Sequence, residues 1–304
     1  MLSSNLHESL NNKVAVITGG SRGIGKAVAE ALVKNGAKIV IGDLLEKEGR
    51  AVVDCMNKKA KTQVAVFIQT DVTKYSDNIA LFKLAESEFG GVDYAFLNAG
   101  VSSNADSMFS PLDDQAEEEI ININTTAVIK GTKVALLYMA KRGGGSIVHM
   151  ASTNGFYNYP FLASYCASKH AVIGYTRSFG LMPQICNVRV NAICPFWVDT
   201  DLVIPLCDLD TAIFPESKII KNEPRTSINT VVEGVLLLLT DESRNTQAIM
   251  ALPDGLQIVE PLAIPASFKS HESENIAKEY IPAAVTVGKQ RLAEALEKFE
   301  RDQR

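Results

Sequence analysis

The most constraining stretch of the sequence runs from Val14 to Asn35. A short apolar run, Val14–Thr18, stops at Thr18-Gly19-Gly20-Ser21-Arg22-Gly23-Ile24-Gly25. Beyond it Ile24, Val28, Ala31 and Leu32 recur at helical spacing until Gly36 closes the segment. A buried strand, a glycine-rich turn and a helix follow one another. Glycines at 19, 23 and 25 allow a tight turn, close approach of the backbone to a pyrophosphate, and close packing of helix on strand. The helix N-terminus then offers unpaired N–H groups to the phosphates, with Ser21, Arg22 and Ile24 in the same cradle.

The rest of the chain continues the alternation. Strands are predicted at 38–42, 63–69, 94–98, 146–150 and 189–193, and helices at 45–58, 79–89, 112–142 and 164–182. The 112–142 segment reads as one long helix whose acidic first turn (Asp113, Asp114, Glu117) suits the positive end of its dipole. The strand segments lack polar alternation, so both faces are buried, and helical crossovers between them require parallel pairing. The expected fold class is a doubly wound α/β parallel sheet in a single domain, with a C-terminal helical extension. An N-terminal segment (1–12) precedes a catalytic domain (13–260), and an extension (261–304) follows it. Within the extension 287–304 reads as a charged amphipathic helix, a solvated tail packing a few apolar residues.

Composition narrows the function classes. No apolar run reaches the length needed to cross a bilayer, and 1–12 lacks the pattern of a signal peptide. A net charge of −5 without a basic patch argues against nucleic acid. Five cysteines (Cys55, Cys166, Cys186, Cys194, Cys207) show no metal-ligand spacing, so no metal is expected. Their odd number fits free thiols in a reducing compartment, and the expected location is cytoplasmic. The expected partner is a small-molecule substrate.

Asp43 ends the second strand eighteen positions after Gly25. A carboxylate there can accept hydrogen bonds from ribose hydroxyls and repels a 2′-phosphate, which favours NAD over NADP. Arg22 is the contrary signal, because it could reach a 2′-phosphate from the glycine turn. Tyr165 and Lys169 are four apart and project from one helix face, with Ser152 just beyond a buried strand. A free tyrosine titrates near pH 10, about three units too high for a base at neutral pH. A neighbouring ammonium and a positive nicotinamide would lower it. Ser152 could then hold the oxygen that Tyr165 deprotonates.

Together the glycine turn, Asp71, Asn98-Ala99-Gly100, Asn124, Ser152, Tyr165-Cys166-Ala167-Ser168-Lys169 and Pro195 resemble the short-chain dehydrogenase/reductase family, over about residues 10–255. The resemblance implies a Rossmann-type fold and an NAD-dependent alcohol dehydrogenase acting on CH–OH groups. Asp71 and Val72 would flank the adenine, and Asn98, Ala99 and Gly100 would line the ribose side. Asn124 would hold a water that connects Lys169 to solvent. Ser152 would polarise the substrate oxygen, Tyr165 serve as acid/base, and Lys169 bind the nicotinamide ribose. Pro195, Val198 and Thr200 match the stretch beside the carboxamide. Further motifs, including Ile123-Asn124 with Gly131-Thr132 and Asn191-Ala192-Ile193-Cys194-Pro195, are similar to the NAD-dependent subgroup resembling 15-hydroxyprostaglandin dehydrogenase. Two departures stand out. Phe196 replaces the usual glycine after the proline, and Leu162 replaces a glutamine that hydrogen-bonds substrate in that subgroup. Prostaglandin itself is thereby disfavoured, whereas a secondary alcohol on an apolar body is not.

Candidate substrate residues are therefore Ser152, Phe156, Leu162, Tyr165 and Phe196. The aromatics Phe156, Tyr157, Tyr159 and Phe161 read as a pocket wall, or else as loop packing. An apolar stretch at 202–214 reads as part of a lid over about 196–226, or as a helix pair completing the core. His149, His170, Cys166 and Cys194 read as structural residues. A homodimer is expected through the helices holding Asn124 and Tyr165, with Val128, Ala135, Leu136 and Met139 forming a surplus apolar face. Two alternatives stay open: an NADPH-dependent carbonyl reductase, and a catalytically inactive nucleotide-binding regulator.

Overall fold

A computed structural model of the chain describes residues 8–102, 112–160, 162–212, 214–268 and 270–302. Of the residues singled out above, Phe161 lies outside these, as does residue 213 of the 202–214 stretch. The unbroken apolar runs form β1 (Val14–Thr18), β2 (Lys38–Asp43), β3 (Ala65–Gln69), β4 (Tyr94–Leu97), β5 (Gly145–Met150), β6 (Val188–Pro195) and β7 (Ala248–Leu252). These pair in parallel, and β8 (Gly255–Val259) completes an eight-stranded sheet in the order β3-β2-β1-β4-β5-β6-β7-β8. The strand order reverses between β1 and β4, which opens a crevice at the carboxyl ends of the strands.

Alternate residues of each strand feed two cores. Ala15 and Ile17 pack under α1 (Gly23–Lys34), α2 (Glu46–Ala60) and α10 (Ile228–Thr240). Val14 and Val16 face α3 (Tyr75–Phe89), α5 (Ala127–Arg142) and α6 (Ala163–Arg177). Each helix buries one stripe against the sheet, so the strand ends carrying the site are held rigidly from both sides.

Several expectations need correction. The 112–142 helix is three pieces: α4 (Asp114–Ile121), a π-helical segment (Asn122–Thr126) and α5. Asp113 caps α4 through Gln115 N and Ala116 N. The 164–182 helix ends at Arg177, and Met182–Cys186 is a separate short helix, α7, opened by Pro183. The sheet is not wholly parallel. Pro253-Asp254 turns the chain back, and β8 pairs antiparallel to β7, with Leu252 opposite Gly255. The expected surplus face on α5 is internal, because Val128, Ala135 and Met139 are all buried in the chain's own core.

The segment after β6 holds two short helices, α8 (Ile204–Cys207) and α9 (Glu216–Asn222). The tail helix begins at His271 rather than Val287, and α11 (His271–Asp302) contains Pro282. Its distal half lies on the body: Phe299 meets Tyr138 edge-on at 5.6 Å, and Gly288 sits against Ile185. Ile276, Tyr280, Ile281 and Val287 remain exposed. Among the described residues, no helix is long and apolar enough to cross a membrane.

Candidate active site

At the switch point a continuous cavity of about 350 Å³ runs from the glycine turn to the carboxyl ends of β5 and β6. One end is the cradle anticipated from sequence. Gly19 has φ +66, and a Cβ on it would lie 2.9 Å from the Ala99 Cα. A Cβ on Gly25 would lie 2.2 Å from the Gly19 carbonyl oxygen, so the helix starts as close to the strand as backbone allows. Asn98 clamps the turn by donating to the carbonyls of Thr18 (3.1 Å) and Gly19 (2.8 Å). Ser21 Oγ is buried there without a partner among the described residues. An orphaned hydroxyl in a cradle of helix-start N–H groups is what a pyrophosphate would satisfy. The residues present therefore fit a dinucleotide.

Asp43 stands beside this turn. Its carboxylate accepts from Ser21 N (3.0 Å) and Leu45 N (3.1 Å), and the next side chain, Leu44, is exposed. Arg22 points across the cavity mouth to Asp201, 3.6 Å away, with both side chains well exposed. Asp71 and Val72 line the same end. Burial pushes the Asp71 carboxyl up, but hydrogen bonds from Thr73 and the Lys74 ammonium hold it below its ordinary value.

At the other end the structure brings Ser152, Tyr165 and Lys169 together. Ser152 Oγ accepts from Asn154 N at 3.1 Å. Lys169 Nζ donates to the Met150 carbonyl at 3.1 Å and lies 5.5 Å from the centre of the Tyr165 ring. Burial pushes the Tyr165 phenol up to about 12, with only the Ser152 hydroxyl pulling it down. Burial likewise pushes the Lys169 ammonium down to about 8, so it stays mostly charged at neutral pH. The lysine alone does not make a phenolate. Bringing the phenol from about 12 to neutrality takes about 7 kcal/mol at 1.36 kcal/mol per pH unit, which calls for a further positive charge.

Asn124 is fully buried on the π segment behind the cavity. Its Oδ1 accepts from Val101 N (2.9 Å), and its Nδ2 donates to Val101 O (3.0 Å) and Ser168 Oγ (3.2 Å). Ser168 Oγ in turn donates to the Tyr165 carbonyl at 2.7 Å. The side chain thus clasps the loop after β4 to α6, and both of its N–H groups are spent. A water would meet only one remaining lone pair on Oδ1.

Gly100, Pro195, Phe196, Val198, Thr200 and Leu162 line the cavity. Phe156 does not. Its ring packs against the sheet core with the Arg177 guanidinium 5.4 Å above it, because the 3₁₀ turn Thr153–Gly155 directs residue 156 toward α6. Tyr157 is exposed, and Tyr159 packs edge-on against Trp197. The aromatic wall is therefore supplied by Phe196 and Trp197. From the segment expected to form a lid, Leu202, Val203 and Leu206 line the cavity, while Ile204, Leu209 and Phe214 are exposed. Two cations of this segment, Arg225 and Lys221, are paired with Asp199 and Asp208. Sequence reasoning overlooked Asn154, Ala151 and Ile123, which line the cavity. Proximity of Asn154 to Ser152 was the available signal.

The profile of the short chain dehydrogenase family matches residues 13–208. The NAD(+)-named 15-hydroxyprostaglandin dehydrogenase of Macaca fascicularis is 36% identical over 199 residues, covering 64% of this chain and 71% of that one. The short-chain dehydrogenase/reductase ascJ of Acremonium egyptiacum is 34% identical over 279 residues, 88% of each chain. A crystal structure of a short-chain type dehydrogenase/reductase from Mycobacterium marinum superposes with a TM-score of 0.72 at 28% identity, covering 83% of this chain and 98% of that chain.

Proposed function

This chain belongs to the short-chain dehydrogenase family and is an oxidoreductase acting on CH–OH groups, and from that premise we propose that it oxidises a secondary alcohol on a largely apolar body to a ketone, with NAD as acceptor. The observation that carries the reading is one cavity with Asp43 at its glycine-turn end and Ser152, Tyr165 and Lys169 at the other.

When bound, the nicotinamide supplies the hydride acceptor and a positive charge. Gly19, Ser21, Gly23, Ile24 and Gly25 would hold the pyrophosphate, Asp43 the adenosine ribose, Asp71 and Val72 the adenine. Asn98, Ala99, Gly100, Pro195, Val198 and Thr200 would line the remaining length. Ser152 holds the carbinol oxygen, and Tyr165 takes its proton. Lys169 holds the nicotinamide ribose and stabilises the phenolate. Asn124 keeps the Tyr165 helix in register. The apolar lining from Leu162, Phe196, Trp197 and 202–206 keeps water out. NAD rather than NADP is supported by the Asp43 carboxylate, since Arg22 is turned toward Asp201. The segment 196–226 acts as the lid over this single catalytic domain, 13–260, and 261–304 is an extension to it.

The five free thiols support a reducing, cytoplasmic location. A homodimer is supported by the apolar residues left exposed on α11 and by the two-fold pairing common among family members. A monomer mass by light scattering would remove it. The central test measures NAD and NADP reduction across lipid-like secondary alcohols, steroids, sugars and short polyols. NAD-linked turnover favouring the apolar alcohols is expected. Equal use of NADP, or preference for sugars, overturns the reading.

A further inference from the structure

Asn154 sits in the cavity wall two residues beyond Ser152, and only 9% of its surface is exposed. Its backbone N–H donates to Ser152 Oγ at 3.1 Å, but its side-chain amide makes no hydrogen bond with any described residue. The amide atoms are not sealed in, and Asn154 lines the cavity. The same cavity is lined by the polar Ser152, Thr153 and Tyr165 and by the apolar Leu162, Trp197, Leu202, Val203 and Leu206. A mostly buried amide with donor and acceptor both free of protein partners meets water when the cavity is empty and is available to a ligand's oxygen when it is filled.

We propose that Asn154 is a substrate-recognition residue that receives a second, uncharged oxygen of the substrate, a hydroxyl or carbonyl a few bonds from the carbinol. The inference deepens the alcohol-dehydrogenase reading and rests on it. The amide can donate to a carbonyl or accept from a hydroxyl, and it carries no charge. The cations at the cavity are committed elsewhere: Lys169 beneath Tyr165, and Arg22 to Asp201. A carboxylate at this point would go unneutralised, so the second group is neutral.

The chain fixes where Asn154 stands relative to Ser152. Asn154 rides on the 3₁₀ turn Thr153–Gly155, closed by Gly155 N to Ser152 O at 2.9 Å and tied to the Pro195 carbonyl by Thr153 at 3.4 Å. Residues two apart have Cα atoms about 5–7 Å apart, which suits a second oxygen three or four bonds from the first.

The experiment compares 2-decanol with 2,4-decanediol as substrates of the wild type and of Asn154→Leu, which keeps the backbone N–H to Ser152. The wild type should favour the diol by at least about ten-fold in kcat/KM. In Asn154→Leu that ratio should fall to about one or below. An unchanged ratio, or an equal loss for both alcohols, overturns the assignment. Binding is read separately from quenching of Trp197, the only tryptophan in the chain, which lines the cavity. If neither alcohol is turned over but the diol quenches more tightly in the wild type alone, the dehydrogenase reading fails and the Asn154 contact stands. Equal quenching, or none, overturns the contact.

Discussion

The substitution His149→Gln should flatten the acid lability of the fold. The imidazole is fully buried in β5, with Nε2 2.9 Å from Thr132 Oγ1 on α5 and Nδ1 2.9 Å from Thr176 Oγ1 on α6. It also stacks on Tyr175 at 5.9 Å. Burial pushes it from the ordinary 6.5 down to about 3. Its folded value lies below its unfolded value, so the neutral ring's contribution is fully present above about pH 6.5. It is lost progressively as pH falls toward 3. Integrating at 1.36 kcal/mol per pH unit, the wild type should lose about 3 kcal/mol between pH 7.5 and 4.5 on this account alone. Urea unfolding at several pH values in that range gives the curves for both proteins. The glutamine amide can still donate to one threonine oxygen, as the single N–H of the neutral ring does; the variant's baseline stability will be lower, but its curve should be flatter by that amount. The opposing influence is specific. Both threonine hydroxyls already donate to carbonyls of their own helices, Val128 and Val172. A doubly protonated ring would satisfy both without rearrangement. Parallel curves, or a wild type that gains on the variant as pH falls, would show that hydrogen bonding outweighs desolvation here.

Tyr165→Phe should lower turnover by about 10²–10⁴-fold while leaving NADH affinity within about two-fold, read by single-turnover kinetics and fluorescence titration; residual turnover above a few per cent would mean another base. Asp43→Ala should shift the NADPH-to-NADH affinity ratio by about ten-fold or more toward NADPH, and an unmoved ratio would dismiss the ribose contact. Lys169→Met should weaken cofactor binding and turnover together, yet leave the apo protein at least as stable, since burying that ammonium at neutral pH costs up to about 3 kcal/mol. A lowered Tm would show that its bond to the Met150 carbonyl matters more.

Strands β1 to β6 were legible because each is an apolar run ended by glycine or a polar turn, and the cofactor end because its chemistry needs backbone that only glycine permits; β7 was not predicted. What stayed hidden depended on contacts distant in sequence. Nothing local to Asn122–Thr126 announces a π segment; it exists because Asn124 is held to Val101 and Ser168. Val128, Ala135 and Met139 have the same periodicity whether a helix faces a partner chain or its own sheet, and here they face the sheet. Phe156 is apolar and near Ser152, but its ring is drawn onto Arg177. The antiparallel β8 was different, because Pro253-Asp254-Gly255 between apolar runs is a readable turn. The early half of α11, mostly exposed, has no core-facing pattern to read.

The π segment also sets what kinds of mutation this region can absorb. A regular helix advances about 100° per residue, so removing one residue from Asn122–Thr126 would turn α5 by that angle relative to α4. α4 is tied to α6, with Glu117 accepting from Ser164 at 3.1 Å, while α5 is keyed to the sheet through Val128, Ala135 and Met139. The two halves are in registers that a straight helix cannot satisfy together. Exchanges of one side chain for another are therefore open to drift at several of these positions, whereas a single-codon deletion there would force either the sheet contact or the Asn124 clasp to break.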